Sequence, residues 1–105
     1  MSQFSVYRNA NQDSKNSTPF LLDVQSDLVA DLNTRVVIPL LPINAMQGKL
    51  IKLLTPAIEI NDQKYVAVTP HMAGVSKKLI GEKVADISYM RDDIMAAIDL
   101  LITGI

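Results

Sequence analysis

Polar and apolar positions alternate from the start of the chain. Phe4, Val6 and Arg8 fall on one face, and Gln3, Ser5 and Tyr7 on the other. A two-residue period carried by aromatic and β-branched side chains predicts a strand over 3–8. Residues 9–18 are polar and turn-rich, which predicts a loop that is long for a hairpin. A second strand is expected over 19–24, apolar at Phe20, Leu21, Leu22 and Val24. Gln25, Ser26 and Asp27 then break the pattern, and 28–33 reads as an irregular apolar loop. The stretch 35–41 is the most strand-like, a Val-Val-Ile-Pro-Leu-Leu run after Arg35. Proline cannot donate to a ladder, so Pro39 should place this strand at an edge or bend it.

Residues 42–48 read as connection, and 49–54 fits a short helix or a strand equally well. Further on, 57–60 and 64–68 flank the polar Asn61-Asp62-Gln63, which predicts a β-hairpin. A loop follows over 69–74, then one more short strand over 75–80 that ends at Gly81. The period then changes. Ile87, Met90, Ile94, Ala97, Ile98, Leu101 and Ile105 recur at three- and four-residue spacing, the stripe of an amphipathic helix. Asp86 or Ser88 suits its N-cap, Asp92 and Asp93 suit its first turn, and Gly104 suits the C-cap. The expectation is a single domain over 1–105, mainly β with a C-terminal α-helix.

Composition narrows the function. Hydrophobic residues make up 49% of the 105 and charged residues 20%, a globular rather than disordered balance. Ten basic side chains oppose eleven acidic ones, so bulk charge does not equip the chain to grip nucleic acid. With no cysteine there is no disulfide framework, no thiolate zinc site and no thiol nucleophile. The longest apolar run, Val36 to Ile43, carries two prolines and falls far short of the ~20 residues of a spanning helix. The N-terminus lacks the basic start and apolar stretch of a signal peptide, so a cytoplasmic protein without a membrane segment is expected.

No catalytic constellation emerges, and no cofactor or metal is expected. His71, the one histidine, has neither an orienting carboxylate nor a nucleophile nearby in sequence and reads as a loop or capping residue. The four glycines, at 48, 74, 81 and 104, are too scattered to cradle a phosphate. Asp92 and Asp93 point about 100° apart on a helix and cannot share a substrate. Lys77-Lys78 reads as an exposed strand edge. The ending is less ordinary, because an apolar turn, a glycine and Ile105 stand where chains usually fray. Ser88, Asp92, Asp99 and Thr103 lie opposite the core stripe, with Ala96 between them. This end is either a helix docked on the sheet or a binding surface, and spacing alone leaves both open.

Several blocks together are distinctive. Phe4-Ser5-Val6-Tyr7, Leu22-Asp23-Val24-Gln25-Ser26-Asp27, and Arg35-Val36-Val37-Ile38-Pro39-Leu40 occur in order. Ile80 to Ser88, Ala97-Ile98-Asp99-Leu100 and the final Thr103-Gly104-Ile105 complete the series. In this the chain resembles the CcdB family of bacterial toxins, colinearly and over essentially its whole length.

The resemblance implies a homodimeric, SH3-like β-barrel toxin fold with a long C-terminal helix, and a toxin of a type II toxin–antitoxin module rather than an enzyme. Such a toxin binds the A subunit of DNA gyrase and traps the cleaved gyrase–DNA complex. A cognate antitoxin strips it away with a disordered segment, and the pair reaches DNA through the antitoxin to repress its own operon. Carried over by position, the implied gyrase contacts are Gln3, Phe4, Tyr7, Ser26, Leu28, Val29, Asp99, Thr103, Gly104 and Ile105. The implied antitoxin contacts are Leu28, Val29, Asp99, Ile102 and Thr103.

This chain departs from the best-known branch in three ways. Thr103 stands in place of tryptophan, an aromatic of the kind that anchors interfaces. Asp99 stands in place of an asparagine-like residue, and the loop over 9–18 is longer. Two alternatives remain. One is an mRNA-cleaving toxin of the same fold, against which the slight acidity weighs. The other is a non-toxic homologue that serves only in operon autoregulation. If the last three residues belong to the working surface, the 105 residues form a complete chain.

Overall fold

The computed structural model describes residues 1–45 and 53–104. Seven strands form one antiparallel sheet: β1 (Ser5–Asn9), β2 (Phe20–Asp23), β3 (Thr34–Pro42), β4 (Ala57–Ile60), β5 (Gln63–Ala67), β6 (Ala73–Ser76) and β7 (Ile80–Asp86). Their order is β4-β5-β3-β2-β1-β7, with β6 paired to β3 beside β5. The sheet curls into a half-barrel, and α1 (Arg91–Thr103) follows it. This is the mainly-β architecture with a C-terminal helix that the hydrophobic pattern predicts.

Register explains where the core sits. Val6 pairs with Leu22 and Leu22 with Ile38, so three apolar side chains line up across β1, β2 and β3 on one face. Phe20 pairs with Leu40, and Leu40 with Ala67, which extends the same face to β5. The Phe20 ring meets Tyr65 edge-on, with centroids 5.1 Å apart. α1 closes this face with Ile94 and Ala97, both buried, while Met95 and Ile98 pack against it in part. The predicted stripe therefore holds through Ile98. It fails at Leu101, which is 38% exposed.

The hairpin between β4 and β5 turns at Asn61 and Asp62, both with positive φ (51° and 67°). Two left-handed residues in a two-residue loop match the twist of the strands they join, and Asn and Asp tolerate that conformation best after glycine. The long β1–β2 loop is held by Asn9. Its side-chain amide donates to Ser14 Oγ (3.0 Å) and the Thr18 carbonyl (2.9 Å), and its Oδ1 accepts from Asn11 N.

Four expectations need correction. Of the edge or bend expected at Pro39, the edge is overturned, because β3 pairs with β2 on one side and with β5 and β6 on the other. The Pro39 carbonyl accepts from Val68 N, so its nitrogen faces the same side. There the pairing to β6 has ended at Val37 and that to β5 begins at Leu40. The missing donor falls at a seam between two partners.

Instead of one strand over 75–80 there are two, β6 and β7, joined by a 3-10 turn over Lys77–Leu79. Gly81 lies inside β7 rather than at its end. Lys77 and Lys78 consequently sit on that turn and not on a strand edge, and Lys77 Nζ donates to the Ala30 carbonyl at 2.8 Å.

The helix starts at Arg91, after a separate 3-10 turn over Ser88–Met90. Met90, and neither Asp86 nor Ser88, takes the N-cap position of α1, and Asp86 Oδ1 instead accepts from Ser88 N at the entry to that turn. Finally, the first strand begins at Ser5 rather than residue 3, because Phe4 adopts φ of 65° and breaks the extended run. The expectations for 46–52, including most of the ambiguous 49–54 stretch, and for Ile105 lie outside the described residues.

Candidate interaction surface

Leu28 is 96% exposed, a leucine almost fully in solvent. It sits on a single 3-10 turn over Asp27–Val29, where Ser26 Oγ accepts from Leu28 N at 3.2 Å. Val29 and Leu32 beside it are about half exposed (48% and 53%). An apolar side chain on a free loop usually folds back to leave water. Here the loop is tied down from beneath.

The ties are buried and polar. Asp23 and Arg35, on neighbouring strands, are 0% and 1% exposed and form an ion pair, with Nη2 to Oδ2 at 2.7 Å and Nε to Oδ2 at 2.8 Å. The same guanidinium donates to the Gln25 carbonyl (3.2 Å) and reaches Asp27 Oδ1 (3.4 Å). Asp23 Oδ1 accepts from Gln25 N at 3.0 Å. Burial pushes the Asp23 carboxyl above the usual carboxylate range, against the downward pull of its bonds to Arg35 and Gln25 N. A buried pair of this kind survives because the remaining donors and acceptors also find partners. Those partners are the root of the loop.

The N-terminal segment joins the same place. Gln3 N donates to Asp27 Oδ1 (3.0 Å) and Gln3 Nε2 to the Val24 carbonyl (3.1 Å). Phe4 is held on both sides, its N–H by the Asp23 carbonyl (2.6 Å) and its carbonyl by Ile87 N (2.8 Å). The Arg91 guanidinium stacks over the Phe4 ring at 5.8 Å, which links this segment to the start of α1. A positive φ at a bulky residue is uncommon and is maintained by these surroundings.

Of the residues singled out from the sequence, the structure joins Gln3, Ser26, Leu28 and Val29 at one place. Phe4 and Tyr7 do not share that exposure: they are buried, at 4% and 6%. Tyr7 Oη accepts from Ser2 N at 2.9 Å, so that ring supports the N-terminus from inside. A second group gathers at the end of α1, where Asp99, Ile102, Thr103 and Gly104 are exposed. Thr103 Oγ1 donates to the Asp99 carbonyl at 2.6 Å, so its hydroxyl is committed within the helix. Gly104, with φ of 74°, closes the helix by donating to the Leu100 carbonyl at 3.0 Å.

Sequence reasoning did not identify Asp23, Gln25 and Arg35 as the supports of the surface. The signal was present: three polar residues interrupt apolar stretches at buried positions, where an unpaired polar group is costly. Tyr89, 76% exposed just before α1, was likewise not singled out.

The other candidates carry little chemistry. His71 is exposed on the Thr69–His71 turn, and Asp92 and Asp93 are exposed in the first turn of α1. Among the described residues no group of three or more His, Cys, Asp or Glu side chains is placed to hold a metal ion. No helix among them is long and apolar enough to cross a membrane.

The family model described as CcdB protein matches residues 3–104. The chain belongs to the CcdB family. The match covers both exposed groups and the buried Asp23–Arg35 pair between the strands. CcdB proteins are toxins of toxin–antitoxin systems and not a family of catalysts.

Proposed function

We propose that this toxin binds the A subunit of DNA gyrase and traps the cleaved gyrase–DNA complex, and that a cognate antitoxin relieves it by covering part of the same surface. The observation that carries this reading is the display of Leu28. A buried ion pair and a glutamine are committed to holding an apolar residue in water, an arrangement that serves a partner rather than the fold. In this reading Gln3, Ser26 and Val29 contribute beside Leu28, and Asp99, Ile102, Thr103, Gly104 and Ile105 are the contacts expected from the end of the chain. Phe4 and Tyr7, both buried, act by holding the N-terminal segment in place. A homodimer presents two such surfaces, and the antitoxin complex carries the operon repression.

Near-neutral net charge supports the same reading, since the toxin grips a protein and needs no DNA-binding face of its own. Thr103, with its hydroxyl turned inward, offers only a methyl where an aromatic would anchor, which shifts weight onto Leu28, Val29 and Ile102.

The test is binding of purified protein to the gyrase A subunit, followed by a DNA cleavage assay with intact gyrase. Expected are a measurable complex, accumulation of linear DNA, and loss of both in Leu28→Asp. Absence of binding with normal growth on induced expression would overturn the proposal, as would cleavage of single-stranded RNA by the purified protein.

A further inference from the structure

Gln25 is where strand β2 hands over to the exposed turn, and it is 6% exposed. Every polar group it carries is used. Its N–H donates to Asp23 Oδ1 (3.0 Å) and its carbonyl accepts from Arg35 Nη2 (3.2 Å). In the side chain, Oε1 accepts from Val36 N on β3 (3.0 Å) and Nε2 donates to the Val29 carbonyl (2.7 Å). The carboxamide thus spans from a fixed strand to the far end of the turn that displays Leu28.

We propose that Gln25 is a positioning residue for target binding: its amide clamps the Val29 carbonyl to β3 and so fixes the direction in which Leu28 points. This rests on the reading that the Leu28 turn contacts gyrase. The turn is only three residues long and none of them is buried, so its own packing does not fix its orientation. Ser26 closes the turn locally through Leu28 N, and Asp27 Oδ1 ties its near end to Gln3 N and Arg35, but neither reaches its far end at Val29. Lys77 reaches the next carbonyl, that of Ala30, from a side chain near the surface, a weaker tether than a buried amide. Only an amide fits the Gln25 position, because one end must accept from Val36 N and the other must donate to Val29 O. A carboxylate of the same length satisfies the first and repels the second.

The test compares Gln25→Glu, Leu28→Ala and the double variant for affinity to the purified gyrase A subunit. Gln25→Glu is expected to weaken binding about tenfold, the consequence of one buried hydrogen bond lost to a preorganised contact. In the Leu28→Ala background the same change should cost much less, because the residue being aimed is gone. Equal costs in both backgrounds would mean a general effect on the fold and would overturn the proposal. If Leu28→Ala itself binds normally, the contact reading fails, and the positioning role falls with it. If Leu28→Ala weakens binding and Gln25→Glu does not, the contact reading stands and the clamp alone is refuted. A measurement on the unaltered protein guards against a variant that does not fold. The Gln25 side-chain amide protons should exchange slowly in NMR spectra, with cross-relaxation to Val29. Exchange at the rate of a free glutamine would overturn the clamp directly.

Discussion

Arg35 and Asp23 face each other across β3 and β2 with no solvent on either side chain, and their 2.7 Å contact is the base on which the exposed turn stands. Removing one partner strands the other. Arg35→Ala should therefore cost about 3–5 kcal/mol, because an unpaired carboxylate remains in a dry site. Replacing both, as Asp23→Leu with Arg35→Met, should recover most of that loss while leaving Gln25 and the turn without their anchor. Urea unfolding of the two variants checks the order. The single variant also has a pH signature. The Asp23 carboxyl titrates above its usual 3.8 in the folded chain, so its contribution to stability is fullest below that value and is lost as pH rises through the folded value. Without Arg35 to pull it down, the shift grows, and the deficit of Arg35→Ala should shrink as pH falls from neutral. A deficit that stays constant with pH would argue against the unpaired carboxylate as its cause.

Gly81 separates two kinds of glycine in this sheet. A Cβ there would lie 3.1 Å from the Arg8 carbonyl oxygen and 3.3 Å from Arg8 Cβ, so a methyl fits only if the β1 backbone gives by a few tenths of an ångström. The pairing of these strands shifts register between Val6 and Tyr7 and again between Tyr7 and Asn9, and Gly81 lies near the second shift. Gly81→Ala is expected to destabilise by about 1–3 kcal/mol, in the range of overpacked sites. Gly74, with open space around it, should tolerate alanine within about 0.5 kcal/mol. Thermal melts of the pair decide whether close approach, and not glycine as such, is what matters.

Much of the fold was legible because local patterns carry it. The alternation around Val6, the Asn61-Asp62 turn and the stripe at Ile87, Ile94 and Ala97 each express a geometry that holds over a few residues. Pro39 was misleading because its cost depends on what lies beside β3, and the switch from β6 to β5 at that point is set by strands far along the chain, Gln63–Ala67 and Ala73–Ser76. The strand β7 was hidden for a related reason. Gly81 looks like a terminator, and only contact with Arg8 shows that it is a spacer. At the surface, exposed residues such as Leu28 and Val29 came through the family resemblance, while Phe4 and Tyr7 turned out to be buried. Burial is a property of the assembled sheet, and an aromatic on an N-terminal strand reads the same whether it faces in or out. The role of Gln25 was invisible for the strongest reason, since it depends on two carbonyl and amide partners that only folding brings within reach.

Gly104 ends α1 in the left-handed region, with open space where a side chain would go. Alanine there meets no neighbour, so Gly104→Ala should cost only the conformational penalty, about 1 kcal/mol, and the melting temperature should fall slightly. Toxicity should fall far more, because the change redirects the end of the chain next to exposed Ile102 and Thr103. Growth after induction, set against the melting curve, separates the two effects. Parallel losses of stability and toxicity would instead assign this end to the core.

Asp86 gives the junction between β7 and α1 a dependence on acid. The Ser88 N–H and then its hydroxyl hold the Asp86 carboxyl below its usual 3.8, with Lys83 adding a smaller pull. A carboxyl whose folded value is lowered adds stability above its unfolded value and loses that addition as pH falls through the folded one. The chain should therefore become easier to melt on acidification below about 3.8, beginning at the turn over Ser88–Met90. Asp86→Asn keeps an acceptor for Ser88 N but carries no charge, so the difference in melting temperature between it and the unaltered protein should narrow as pH drops from 5 to 2. A difference that persists unchanged across that range would show that the side chain acts only as a neutral cap. The position matters beyond the turn, because Ile87 N, the next donor along, holds the Phe4 carbonyl. Loosening Asp86 should thus reach the N-terminal segment, and amide exchange at Phe4 and Ser5 should quicken in acid together with exchange at Ser88.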